Sequence, residues 1–209
     1  MAVSAAEDVD DSGVESNSRL TAMTAVVLMA LFAVVGVTLL NVRGYFDIHV
    51  FVGMLLIPPT LVKIGSTGWR FARYYAGAPP YRRKGPPSWH LRLLGPVLVV
   101  MTAMLVGSGV ALVLTPRLRP QLLFLHQASF FGWLAVMAIH VLGHLEETAR
   151  FAPLDLARRT RAQVTGAAAR QWTVAAALAV GVVLGLVMLT TTTHYLDTTL
   201  PFIHHHHHH

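Results

Sequence analysis

The chain has 209 residues, of which 54% are hydrophobic and only 12% are charged, a composition too apolar for a water-soluble domain of this size. It contains no cysteine, which excludes disulfides, thiolate-bound iron–sulfur clusters and covalent haem attachment through a CxxCH motif. The net charge of +6 does not indicate nucleic-acid binding, because the basic residues cluster beside apolar stretches, as topology signals do.

The two ends of the chain differ from the rest. Residues 1–18 are rich in acidic side chains and almost free of large apolar ones, and they predict a disordered acidic tail. Residues 204–209 are six consecutive histidines, which are an expression tag and carry no fold information. Residues 19–203 between them are expected to form a single transmembrane domain.

Five apolar stretches approach the ~20 residues that are needed to cross a bilayer as a helix. Pro58 and Pro59 interrupt the second stretch and should kink it. Short connections should make antiparallel neighbours of spans one and two, and of spans three and four. The sequence therefore predicts an all-α membrane bundle with spans at about Leu20–Leu40, Ile48–Ile64, Leu91–Leu114, Leu122–Leu142 and Trp172–Leu189.

The distribution of arginine and lysine predicts the orientation of these spans. The long connections at 65–90 and 143–171 are strongly basic, whereas the other side has only Arg43, Arg117 and Arg119. Cytoplasmic connections carry the excess of positive charge, so both long connections are expected in the cytoplasm. Five spans then leave the N-terminus cytoplasmic and the C-terminus outside the cell membrane.

The fourth span carries two histidines in a spacing that suits two stacked metal centres. His126 and His140 are 14 residues apart, which places them about 40° apart around a helix and roughly 21 Å apart along it. With a hydrocarbon core about 30 Å thick, one histidine should lie near each membrane face. His144, 18 residues after His126, returns to the same face and competes with His140.

Each of these histidines has a partner at the matching depth. His49 opens the second span on the outer side, and His90 opens the third span on the inner side. Imidazole suits haem iron, because one nitrogen binds the metal while the other N–H is held by a neighbouring acceptor. We therefore expect two non-covalent b haems in a four-helix core, with His49 and His126 binding the outer iron and His90 and His140 the inner iron.

Several residues keep alternative interpretations. Lys63, 14 residues after His49, could be an inner haem ligand or a proton or quinone contact, but a lysine extending to the headgroups is the simpler explanation. Trp133 could pack between two haems or be an ordinary buried aromatic. Gly53 could admit a porphyrin or serve helix packing. The histidines themselves could form interhelical hydrogen bonds, bind another metal or relay protons.

These residues resemble the dihaem cytochrome b membrane subunits of formate dehydrogenase and nickel–iron hydrogenase. In that family one helix carries two histidines 14 residues apart, as His126 and His140 are here, and Trp89-His90-Leu-Arg92 is similar to the opening of another haem helix. The resemblance implies electron transfer between a quinone or redox partner and an acceptor across the membrane. It covers roughly residues 45–145, and it implies that His49 is the outer partner ligand.

No nucleophile with a matched base and no phosphate-binding loop occurs in the sequence, so any redox catalysis would belong to a cofactor. The expected function is that of a b-type cytochrome, as an electron-transfer component or oxidoreductase subunit. The alternatives are a haem-free membrane anchor or assembly subunit, and a proton-coupled transporter that uses its histidines.

Overall fold

The computed structural model describes most of the chain, namely residues 2–85, 89–115, 119–151, 153 and 165–199. Within these ranges the side chains are described except at 2–11, 90–91, 144, 147–148 and 193–199. The described backbone is helical and contains no strand. Within these ranges, five helical stretches are long and apolar enough to cross a membrane, which confirms the predicted all-α membrane bundle.

The connections from α1 to α2 and from α5 to α6 are short. The first two spans are α1 and the broken pair α2 and α3, the next two are α5 and α6, and the last is α7. A short helix, α4, lies between the second and third spans. The bounds are α1 Ala2–Thr38, α2 Phe46–Leu55, α3 Ile57–Tyr75, α4 Pro79–Lys84, α5 Trp89–Leu114, α6 Arg119–Phe151 and α7 Ala167–Thr199.

The helices pack as two antiparallel pairs with one further helix. Helix α1 packs against α2 and α3, and α5 packs against α6, as the short connections predicted. Helix α1 also contacts α6 and so joins the two pairs, while α7 packs against α2, α3 and α1. Many large apolar side chains point outward, including Leu40, Phe124 and Leu142, which are 86%, 74% and 74% exposed. Such surfaces suit contact with lipid.

The second span is broken where the prolines stand. Helix α2 ends at Leu55 and α3 begins at Ile57, with the prolines in the first turn of α3. A proline at position 59 has no N–H to donate to the carbonyl of Leu55, so this acceptor is not used within its own helix. The predicted interruption of the second span at the prolines is confirmed.

Helix α7 approaches the second span at this break through two glycines. A Cβ atom added at Gly181 would lie 2.7 Å from the carbonyl oxygen of Leu55, and one added at Gly185 would lie 2.6 Å from the ring of Phe51. The glycines are four residues apart, which puts them on one face of α7. This small-residue contact lets the two backbones lie close together, as in many membrane helix pairs.

The start of α1 differs from the expected disordered tail. The helix begins at Ala2, and from Ser12 onward its side chains pack into the bundle. Arg19 is 1% exposed and its guanidinium lies 2.6 Å from the carboxylate of Glu15. Arg170 of α7 donates to the hydroxyl of Ser16 at 2.8 Å. Basic side chains from later in the chain thus meet this segment, an attraction that local composition does not reveal.

Candidate functional site

Two of the predicted ligands come together near one end of the bundle. His49 lies in the first turn of α2, and His126 lies in the second turn of α6. Their ring centroids are 6.4 Å apart and their ring planes are nearly perpendicular, at 85°. We call this pair and the groups that bind its rings the His49–His126 site. Side chains from α1, α2, α5 and α6 contribute to it.

The His49 ring is held by the last residue of α1. The Nδ1 atom of His49 lies 2.8 Å from the hydroxyl oxygen of Thr38, which is 3% exposed. The same hydroxyl donates its only proton to the carbonyl of Val35, one turn earlier in α1. With that proton given to Val35, Thr38 accepts from His49, and we assign the ring proton of neutral His49 to Nδ1 on this basis.

The His126 ring is held in the same way by α5. Its Nδ1 atom lies 3.0 Å from the backbone carbonyl oxygen of Leu105 and 3.2 Å from the hydroxyl oxygen of Ser108. Ser108 donates its own proton to the Leu105 carbonyl, so neither oxygen offers a proton to the ring. The proton of neutral His126 therefore also lies on Nδ1, which leaves the Nε2 lone pair for another partner.

This arrangement has the chemistry of a metal-binding imidazole pair. Histidines that bind metals usually donate the second ring N–H to a carbonyl, carboxylate or water, which fixes the tautomer and the ring orientation. Metal–imidazole bonds are about 2.0–2.1 Å, and adding the distance from nitrogen to ring centre gives roughly 6 Å between the centres of two rings on opposite sides of one metal. The observed 6.4 Å between His49 and His126 agrees with that value.

The His49–His126 site supplies two imidazole donors. Among the described side chains, no group of three or more histidine, aspartate, glutamate or cysteine residues could hold a metal ion. Two imidazoles alone satisfy an iron whose other four ligands come from a porphyrin. Gly36 and Gly53, from α1 and α2, each face space in which an added Cβ atom would meet no heavy atom of another helix within 4 Å.

The second predicted pair is described only in part. His140 lies on α6 and its Nδ1 atom is buried. The helical backbone of α5 includes His90 and that of α6 includes His144. The side chains of both residues lie outside the described part of the structure, as does that of His194. The choice between His140 and His144 therefore stays a prediction.

Trp133 lies between the levels of His126 and His140 on α6. It is 5% exposed, and its indole N–H donates to the hydroxyl of Thr102 on α5 at 3.0 Å. The ring of Phe32 from α1 packs against it with the centroids 4.7 Å apart. Trp133 thus joins α1, α5 and α6 in the middle of the bundle.

Lys63 lies toward the opposite end of the bundle from His49. Its ammonium group donates to the backbone carbonyl of Thr21 on α1 at 2.9 Å. The hydroxyl of Thr21 donates to Ser66 at 2.9 Å, and Asn17 donates to the Ser66 carbonyl at 3.0 Å. These contacts form a polar seam between α1 and α3, in which the lysine behaves as an interhelical donor.

No motif in the sequence points to the supporting residues Thr38, Leu105 and Ser108. The positions of Thr38 and Ser108 relative to the short connections do indicate that they face the histidines. Thr38 and His49 stand at similar distances from the middle of one short connection, and Ser108 and His126 stand at similar distances from the middle of the next. In an antiparallel pair such positions face each other at the same depth.

Comparison with protein-family models, with curated proteins and with solved structures found no match to this chain. The chemistry of the His49–His126 site is therefore deduced from its own residues.

Proposed function

We propose that this protein is a b-type cytochrome that holds two haems and carries electrons across the membrane. The observation that carries the proposal is the His49–His126 site: two imidazoles from different helices, 6.4 Å apart, each with Nδ1 bound to an acceptor on a third or fourth helix. A histidine used only for helix packing needs one such hydrogen bond and no second imidazole at this distance.

The residues of the site have separate roles in the proposal. His49 and His126 would bind the iron through Nε2, while Thr38, Leu105 and Ser108 keep the ring protons on Nδ1. A bound haem supplies one-electron chemistry by alternating between Fe(III) and Fe(II). Both rings are partly buried between the apolar helices.

The second haem would be held by His140 with His90, and His144 is the alternative to His140. The 14-residue spacing puts His140 roughly 21 Å along α6 from His126, so the two centres would lie near opposite membrane faces. Trp133 occupies the level between them. The Lys63 ammonium donates to a backbone carbonyl, so we do not assign it as a ligand.

The proposed setting is the cell membrane, with the His49–His126 site on the outer side. The electron donor and acceptor would be a quinone or a redox partner subunit, as the resemblance to the dihaem membrane subunits implies. A haem-free anchor or assembly subunit and a proton-coupled transporter are the alternatives. Neither alternative requires the ring centroids of His49 and His126 to lie 6.4 Å apart with Nδ1 of each ring bound to a group on another helix.

The first test is the haem content of the purified full-length protein. We expect about two non-covalent b haems per chain by pyridine haemochrome assay, with low-spin bands in the reduced visible spectrum. A ratio of about one haem per chain would mean that the inner haem is absent, and we would assign the remaining haem to the His49–His126 site. A colourless protein after expression with haem supply would contradict the cytochrome proposal and favour an anchor or a transporter.

The second test concerns orientation. Reporter fusions after Ile203 and within 143–171 should report from opposite sides of the membrane, with the C-terminal fusion outside. An alkaline phosphatase fusion should be active at the first position, and a green fluorescent protein fusion should fluoresce at the second. Signals from the same side would contradict the proposed topology.

A further inference from the structure

The rings of His49 and His126 are each held through Nδ1 by groups on a neighbouring helix. The hydroxyl of Thr38 accepts a hydrogen bond from Nδ1 of His49. The Leu105 carbonyl and the Ser108 hydroxyl accept a hydrogen bond from Nδ1 of His126. Thr38 and Ser108 are 3% and 4% exposed, so water has little access to either hydroxyl. The strength of these hydrogen bonds therefore depends on the protein alone.

Gly109 leaves room for the His126 ring in its observed plane. A Cβ atom at this position would lie 3.1 Å from Cε1 of His126 and 3.4 Å from its Nδ1. The first distance is tighter than ordinary van der Waals contact, so the ring would have to move. The ring can give way only by changes in its χ1 and χ2 angles, and these changes tilt its plane. Gly109 thus permits the angle of 85° between the two imidazole planes.

We infer that Thr38, Ser108 and Gly109 are positioning residues that set the reduction potential and the ligand-plane angle of the haem at the His49–His126 site. The inference rests on the proposed function. A hydrogen bond from Nδ1–H makes an imidazole a stronger electron donor, which stabilises Fe(III) and lowers the potential. Perpendicular imidazole planes give low-spin Fe(III) a highly anisotropic electron paramagnetic resonance signal, whereas parallel planes give a rhombic one.

The potential is tested by Thr38→Val, which keeps the shape of the side chain and removes the acceptor. Redox titration of the purified full chain, with dithionite as reductant, should show a positive shift in the potential of one haem only. Thr38→Ser keeps the hydroxyl and should return the potential to the wild-type value. Thr24→Val is the matched control, because Thr24 is also buried in α1 and bonds only the carbonyl of Leu20 in its own helix.

The plane angle is tested by Gly109→Ala, with Gly107→Ala as the matched control in the same helix. A Cβ at Gly107 meets no atom of another helix within 4 Å, so this control should keep the wild-type resonance signal. Gly109→Ala should lower the anisotropy of one low-spin signal without removing the haem.

The outcomes separate this inference from the proposed function. Wild-type potential in Thr38→Val, or an equal shift in Thr24→Val, would overturn the role of Thr38 while the haem remains. An unchanged signal in Gly109→Ala would overturn the role of Gly109. If Gly109→Ala fails to fold, the Thr38 series still decides the inference. A wild-type protein that binds no haem would overturn the proposed function, and this inference with it.

Discussion

His126→Ala and His49→Ala should each abolish the low-spin signal of one haem and leave the other unchanged. The two imidazoles are 6.4 Å apart and serve the same iron in our proposal, so removal of either leaves that iron with one protein ligand. We expect the haem content to fall to about one per chain, or the affected haem to turn high-spin where it is retained. Visible spectra of the oxidised and reduced protein, together with haem quantification, measure this.

The matched control is His194→Ala, which removes a histidine that belongs to neither proposed pair. Its spectrum and haem content should equal those of the wild type. Retention of both low-spin signals in His49→Ala and in His126→Ala would contradict the ligand assignment directly. Equal loss of both haems would instead show that the substitution disrupts the bundle as a whole.

The same spectra decide the inner ligands. His90→Ala should remove the other low-spin signal. If His144→Ala also removes it and His140→Ala does not, then His144 is the ligand and His140 is a neighbour of the haem. The two residues are one helical turn apart, so the inner haem would lie about 6 Å further along α6 if His144 is the ligand. If all three variants keep both low-spin signals, then there is no inner haem bound by these histidines.

Gly181→Ala should destabilise the folded protein markedly, although alanine is the better helix former. The added methyl group would lie 2.7 Å from the Leu55 carbonyl oxygen and 3.0 Å from its Cα atom, both of which are backbone atoms that move only with the helix. Overpacking of this kind costs about 1–3 kcal/mol. Gly185→Ala, which would place its Cβ 2.6 Å from the Phe51 ring, should add to the effect. Thermal unfolding in detergent, followed by circular dichroism, measures the change in melting temperature.

Gly65→Ala in α3 is the control for this pair. An added Cβ there meets no atom of another helix within 4 Å, so only the helix propensity changes, by up to about 1 kcal/mol in favour of alanine. Its melting temperature should match or exceed that of the wild type. If Gly181→Ala is as stable as Gly65→Ala, then α7 does not depend on close contact with the second span.

The break in the second span explains why α7 contacts it here. Pro59 leaves the Leu55 carbonyl without a donor in its own helix, and Gly181 brings the α7 backbone against that oxygen. The Cα hydrogens of glycine can contact such an oxygen directly. A larger residue at position 181 would hold the two helices apart and leave the carbonyl to the lipid.

The sequence by itself determined the architecture of this protein. Apolar stretches of bilayer length have to become helices, because backbone polar groups in lipid must be satisfied within the same segment. The short connections then made antiparallel neighbours of α1 and the second span and of α5 and α6. The proline pair located the break between α2 and α3 for a purely local reason, the missing backbone N–H. His49 and His126 each stand at the start of a span on the same side of the membrane, which predicts that they lie at one depth.

Only the tertiary structure decided how close those histidines come and which groups hold them. Helix periodicity gives depth and face, but the distance between two helices depends on the side chains that pack between them. The hydroxyl of Thr38, the carbonyl of Leu105 and the bare Cα of Gly109 became part of the site through this packing. The start of α1 likewise packs against Arg170 from the far end of the chain, a contact that the composition of residues 1–18 could not show.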